Sequence, residues 1–195
     1  MRIRNILIIT TLATMIAFVL MAYASVTSAQ SATCQVRDYT AATEEQVFAL
    51  TTQHQIGNVV FYESKWTRDW ATSQSMFDID HHVSKSEAIA LELCAKSAAV
   101  QKQFAQDPLN LYATNPGFNR GKGNRTPAQI ADIRKTNSLV KTTLRDQDKA
   151  TAYCAIRHAV LDKYDLGEPE TETACVNWLV YGQATAPTPV PTAAP

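Results

Sequence analysis

No two cysteines of this chain are spaced C-x-x-C, and that absence argues against the usual zinc-finger and zinc-ribbon frameworks. An excess of charge of one sign is missing too: 18 Lys and Arg stand against 18 Asp and Glu. Taking Arg2 and Arg4 away with an N-terminal leader gives 18 − 2 = 16 basic against 18 acidic residues, a net of −2. Such a balance argues against a protein that coats nucleic acid by bulk charge alone. No internal repeat is visible. What remains is a chain of 195 residues, 46% hydrophobic and 18% charged, which reads as one globular domain.

Both ends read as dispensable for folding. Arg2 and Arg4 precede an uncharged apolar run from Ile6 to Met21, and Ala22-Tyr23-Ala24 and Thr27-Ser28-Ala29 offer small-residue cleavage sites. Residues 1–29 therefore read as an export signal, with a retained N-terminal anchor as the alternative. Residues 184–195 hold only Ala, Thr, Pro and Val, too little apolar surface to offset chain entropy, so a disordered tail is expected. The folded domain is placed at residues 34–182. An exported chain with four cysteines, Cys34, Cys94, Cys154 and Cys175, is expected to form two disulfides. Of three possible pairings, Cys154–Cys175 with Cys34–Cys94 is favoured, because Cys154 and Cys175 fall on consecutive expected helices joined by a short turn.

Along the chain, Thr43-Glu44-Glu45-Gln46 resembles a capping box for a helix to about Gln55, ended by Gly57. Asn58 to Glu63 favours a short strand. Trp66 and Trp70 are expected to cover the core, with ligand stacking as the alternative. Met76 to Val83 reads as a strand. Ser84 or Ser86 caps a helix expected to run to about Gln106. Leu109 to Ala113 is a second strand, Asn115-Pro116-Gly117 a turn, and a helix or tight helical turn begins at Phe118. Thr126-Pro127 starts another helix, and two more follow at about 146–164 and 170–181. The fold class is α+β, with a helix inserted between two short strands around the candidate site and helices flanking it. His54 and His158 read as structural or surface residues, and Glu87 as a solvated residue near a helix end.

Two short stretches carry the chemistry: Asp78-Ile79-Asp80-His81 and, about forty residues later, Asn119-Arg120-Gly121-Lys122. Residues i and i+2 of a strand face the same way, so Asp78 and Asp80 can share a face, and Asp80 can hold a divalent cation. His81 faces away in a regular strand, so the strand must end or bend there for both side chains to reach one phosphate. An imidazole with an ordinary pKa of about 6.5 suits a base near neutrality. Asn119 offers a neutral oxygen to the same ion, and oxygen-dominated ligation favours Mg2+ or Mn2+ over zinc. Lys122, one turn beyond Asn119, can pair with a phosphate oxygen, and Arg120 and Arg125 with its neighbours. Asn110 is the residue expected to tie the loop between the strands. Asp78 is a further candidate ligand or supports one. His82 is read as a third ligand or a surface residue.

Phe77-Asp78-Ile79-Asp80-His81-His82-Val83, Asp107-Pro108-Leu109-Asn110-Leu111 and Asn119 to Pro127 together resemble the HNH endonuclease family, in particular its small secreted bacterial members. The D-x-D-H and N-R-G-K pattern also occurs in the HNH domain of RNA-guided CRISPR nucleases, and the segment from Cys154 to Cys175 is similar to the C-terminal part of the secreted group. The resemblance implies a ββα-metal fold that hydrolyses nucleic-acid phosphodiesters with one divalent cation. By position, it makes Asp80 and Asn119 metal ligands, His81 the general base, Asn110 the loop-fixing asparagine and Lys122 the basic residue. The chain departs from the family at His82, where Val or Ile is usual, at Ser84-Lys85, where Pro-Leu is usual, and at Ala128-Gln129-Ile130, where Trp-Leu-Pro often follows.

The expectation is an exported, metal-dependent endonuclease acting on DNA, or on RNA, with no module that reads base sequence. It would be secreted or extracytoplasmic, held at the cell surface if the leader is retained, and without stable membrane association if the leader is cleaved. The rival is a non-catalytic protein of the same fold that binds polyanions through the basic zone Arg120, Lys122, Arg125, Arg134, Lys135, Lys141 and Arg145, in which Asp132 is the one acid.

Overall fold

A computed structural model describes Cys34, Val36 and residues 39–132, 137–167 and 170–185. The expected leader, residues 186–195 of the expected tail, and Arg134 and Lys135 of the basic zone lie outside the described residues. The chain divides into two units between residues 35 and 36, and every helix and strand named here belongs to the second. Among the described residues no helix is long and apolar enough to cross a membrane.

Mixed helix and small antiparallel sheets make this an α+β protein. The order is α1 (Ala41–Leu50), β1 (Gln53–Ile56), β2 (Val59–Glu63), β3 (Trp70–Ala71), β4 (Asp78–His81), α2 (Lys85–Ala90), α3 (Ala98–Ala105), β5 (Leu111–Thr114), α4 (Pro116–Lys122), α5 (Pro127–Ala131), α6 (Ser138–Leu144), α7 (Gln147–Lys163) and α8 (Glu172–Tyr181). Strands β1, β2 and β3 form one sheet in that order, and β4 pairs with β5 in a second, two-stranded sheet. Polar side chains set most helix starts. Thr40, Ser84, Ser97, Asn115, Thr126, Asp146 and Thr171 each accept a backbone N–H of the first turn, satisfying donors that have no partner within the helix.

Three departures from the sequence reading have local causes. Helix α1 is capped by Thr40 rather than Thr43 and stops at Leu50, so His54 belongs to β1. Gly57 does not end a helix; at φ +61° it begins the two-residue turn between Ile56 and Val59, a backbone glycine adopts without steric cost. The single helix expected from Ser84 to Gln106 is broken, because Glu92 takes a left-handed conformation and Ser97 caps a new start.

Three apolar clusters hold the elements together. Helix α1 (Val47, Phe48) packs on one face of the β4–β5 pair (Ile79, Leu111, Ala113). The first half of α7 joins α8 in a core with Trp66, Tyr112, Phe118 and Ile130. Its second half packs on Val83, Ala88, Leu93 and Phe104. Helix α7 therefore touches the chain both before and after β5. Cys154 and Cys175, both fully buried, are disulfide-bonded with Cα atoms 5.9 Å apart and join α7 to α8. A bridge across 21 residues stabilises by roughly 3 kcal/mol through the unfolded chain. Cys34 and Cys94 are also disulfide-bonded, and no cysteine is free.

The position read as a solvated helix end, Glu87, is instead buried, and its Oε1 accepts from Arg157 of α7 at 2.5 Å. Arg157 is fully buried and lies 3.2 Å from Glu170 as well. Burial pushes the Glu87 carboxyl above its usual 4.5, Arg157 opposes that rise, and Glu170 adds to it. Removing one partner of a buried ion pair strands the other without water or counter-charge. Arg157→Ala is expected to cost about 3–5 kcal/mol in urea unfolding, and a loss below about 1 kcal/mol would show the cluster to be solvated in solution. In the wild type, a carbon-detected NMR titration should place the Glu87 midpoint above 4.5. A carboxyl that binds its proton more tightly when folded stabilises the fold increasingly as pH falls from that midpoint towards 4.5.

Candidate functional site

Strand β4 lies beside α4, and the two meet in rungs. Asn119 Nδ2 donates to Asp78 Oδ2 at 3.1 Å. Lys122 Nζ stands 3.3 Å from Asp80 Oδ2. Two steps along the strand thus match three residues along the helix, spacings of about 6.7 and 4.5 Å. Helix α4 starts where it does because Asn115, immediately after β5, caps it with Pro116 in the first turn. The segment expected to be a free turn is therefore the helix start. The approach to α4 is close at Gly121, where a Cβ would run into the Asn137 side-chain amide.

Asp80 is 7% exposed and well bonded. Its Oδ1 accepts from the His81 backbone N–H at 2.7 Å, and its Oδ2 accepts from the Tyr112 hydroxyl at 2.7 Å. Tyr112 is its cross-strand partner on β5. Burial raises the Asp80 pKa, while Lys122, Tyr112 and the His81 N–H favour the charged form. Burial and the Asp80 charge hold the Tyr112 hydroxyl well above its usual range, so it serves as a fixed donor. Lys122, read from sequence as a phosphate partner, is only 1% exposed; it reaches Asp80 and the Gly123 carbonyl.

His81 is the last residue of β4 and pairs with Leu111. Alternation puts it on the face of Ile79, opposite Asp80. The strand ends there, and the chain bends at His82 and Val83. His82 is neither at the surface nor in the Asp78–Asp80 cluster. It is 3% exposed, with ring centroids 4.3, 5.5 and 5.6 Å from those of Tyr112, Trp66 and Tyr153. Burial lowers its pKa well below the usual imidazole value. A carbonyl can only accept, so the contact of Nδ1 with Asn110 O at 3.3 Å is an N–H donation. His82 packs as a neutral aromatic ring where Val or Ile would serve as an aliphatic one.

Asn110 is fully buried and grips both backbone groups of Val83. Its Oδ1 accepts the Val83 N–H at 2.8 Å, and its Nδ2 donates to the Val83 carbonyl at 3.2 Å. The His82 N–H donates to the Asn110 carbonyl at 2.8 Å. Tyr153 of α7 donates to the His82 carbonyl at 3.1 Å. The segment leaving β4 is thus clamped from the β5 side and from α7. Tyr112, Tyr153 and Arg157 were not singled out in the sequence; the available signal for Tyr112 was its alternate position in the strand expected to pair with the Asp80 strand.

Arg125 turns back on α4, its Nη1 donating to the Gly121 and Lys122 carbonyls at 2.9 and 3.1 Å, a C-terminal cap rather than a free cation. Arg120 and Arg145 are exposed, and Lys141 is half-buried. Among the described residues no group of three or more His, Cys, Asp and Glu side chains could hold a metal ion. The candidate donors are two carboxylates, Asp78 and Asp80, with the Asn119 amide. Such an oxygen-only set suits a hard divalent cation in type, and a carboxylate of roughly four lone-pair sites leaves Asp80 acceptor capacity beyond its present bonds.

In comparisons with protein-family models, curated proteins and solved structures, nothing matches this chain.

Replacing Asn110 by Ala leaves a buried N–H and a buried carbonyl of Val83 unpaired, at about 1–3 kcal/mol each. Asn110→Ala is therefore expected to lower stability by about 2–6 kcal/mol in thermal or urea unfolding. A change under about 1 kcal/mol would show that the amide does not hold the strand exit.

Proposed function

We propose that this protein is an exported, metal-dependent endonuclease of the HNH type, hydrolysing phosphodiester bonds of DNA or RNA. The observation that carries the reading is the meeting of the two motifs: a strand–strand–helix unit in which Asp78 touches Asn119 and Asp80 lies against Lys122. Asp80 and Asn119, with Asp78 in support, would hold one Mg2+ or Mn2+, which supplies Lewis-acid polarisation of the phosphodiester and stabilisation of the leaving oxygen. The remaining work falls to the chain. His81 takes the proton of the attacking water. Lys122 and Tyr112 favour the charged form of the Asp80 carboxyl, opposing its burial. Asn110 fixes the bend that lets residues 80 and 81 serve one substrate. Arg120 on the exposed side of α4 binds a neighbouring phosphate. Export is supported by the two disulfides, which persist in oxidising compartments.

Burial of Lys122 and the capping role of Arg125 remove two cations from the proposed polyanion surface, which weighs against the non-catalytic alternative. The test is nicking of supercoiled plasmid by purified residues 30–183 with Mg2+ or Mn2+. Activity is expected, EDTA should abolish it, and His81→Ala should lower it about 100- to 10,000-fold, while His82→Ala retains more. Undiminished cleavage by His81→Ala would remove the base assignment. Absence of cleavage with either ion, by protein shown to be folded, would overturn the enzyme reading.

A further inference from the structure

The three-stranded sheet exposes a face that the Asp80 site does not use. On one side Tyr62 packs edge-on against Phe48, with centroids 6.1 Å apart. The register His54↔Phe61, Ile56↔Val59 and Glu63↔Trp70 puts these six residues on the other side. There Trp70 is 50% exposed, stacked on His54 at 4.1 Å and 18°, with Phe61 at 6.1 Å. Ile56 and Val59 are exposed beside it. At its inner end this face meets a cleft of about 480 Å³. Lys65, Arg68 and Lys149 line the cleft, with Tyr112 and His82 in its wall. Glu63 there is contacted by both Arg68 and His54, and Asp148 is the other acid lining it.

We propose that the Trp70 face and the adjoining cleft bind single-stranded nucleic acid, one base stacking on Trp70 and the backbone passing Lys65, Arg68 and Lys149. The inference rests on the nuclease reading for its choice of nucleic acid, and it adds the strandedness of the substrate. Tyr112 connects the two regions, since it lines the cleft and donates to Asp80. Stacking platforms edged with cations are how single strands are held without reading sequence. A duplex keeps its base faces stacked inside and offers Trp70 none. A volume of about 480 Å³ falls in the range of about 300–1,000 Å³ that encloses a small ligand, which suits one nucleotide and not a double helix. Three cations limit the salt dependence to a log–log slope of about −2.

The experiment is fluorescence anisotropy of the full chain in EDTA, which separates binding from cleavage, with oligo-dT, oligo-U and a hairpin duplex as probes. Both single strands are expected to bind more tightly than the duplex; the ratio between them reports the sugar preference. Trp70→Ala should weaken single-strand binding about 5- to 150-fold, and Trp70→Phe, which keeps a ring, should recover much of it. Lys149→Glu should flatten the salt slope by at least 0.7 or so. Binding unchanged in Trp70→Ala, equal binding of duplex, or no binding of either single strand would overturn the proposal. If Trp70-dependent binding persists but no divalent ion brings cleavage, the nuclease reading fails and this inference stands. Cleavage that is indifferent to Trp70 has the opposite meaning.

Discussion

The carboxylate of Asp80 is the constraint around which the rest is arranged. A charge taken out of water costs several kcal/mol unless partners replace its hydration. Here a backbone N–H, the Tyr112 hydroxyl and the Lys122 ammonium do so. At this separation the Lys122 attraction is roughly 5 kcal/mol gross at an effective dielectric of about 20, comparable with the desolvation it offsets. Net stability is therefore not what the pair contributes. It fixes the position of one carboxylate and favours its charged form, and to do so it requires β4, β5 and α4 to be in place together.

Those three elements are short, and four-residue strands paired alone are marginal. Their support comes from outside. Helix α1 covers one face of the pair, and α7 reaches the strand exit with Tyr153 and the α2 helix with Arg157, one turn apart. Cys154, between these two residues, ties α7 to α8 inside the apolar core. Asp107, just before β5, receives the Tyr164 hydroxyl at 2.9 Å and lies 2.8 Å from Lys163, so the far end of α7 anchors the loop that carries Asn110. One seventeen-residue helix thus restrains both sides of a site to which it contributes no candidate ligand.

Sequence reasoning reached the parts governed by local rules. The capped start at Thr126, the two strands around the motifs and the grip of Asn110 follow from short-range spacing and from side-chain hydrogen-bonding capacity. Failures arose where the partner is remote. Glu87 looked solvated because Arg157 lies 70 residues away. Lys122 looked like a phosphate ligand because nothing near it in sequence announces Asp80. His54 was misplaced because the Thr43–Gln46 pattern imitates a capping box, while the stop at Thr51 and the hairpin at Gly57 depend on pairing with β2. Trp70, expected to cover the core as Trp66 does, stands exposed because β3 carries it to the outer face of a sheet that the sequence reading did not contain.

The alternation of β4 sets one further condition on the chemistry. Asp80 and His81 point to opposite faces, so no substrate lying flat on either face can meet both. Asp80 and His81 are only 7% and 8% exposed, so in the proposed nuclease a substrate would have to meet both at the outer edge of β4, where, among the described residues, no further strand pairs, at the strand's end, where the chain turns away at His82. A phosphodiester passing along that edge would have the carboxylate and Asn119 on one side and the imidazole on the other. Opposed placement of this kind is what in-line displacement needs, with the water activated on one side of phosphorus and the leaving oxygen stabilised on the other. In the proposed nuclease, then, the bend held by Asn110 and Tyr153 is part of the reaction geometry: shifting His81 by one position along the strand would put base and ligands on the same side and leave the attacking water without a proton acceptor.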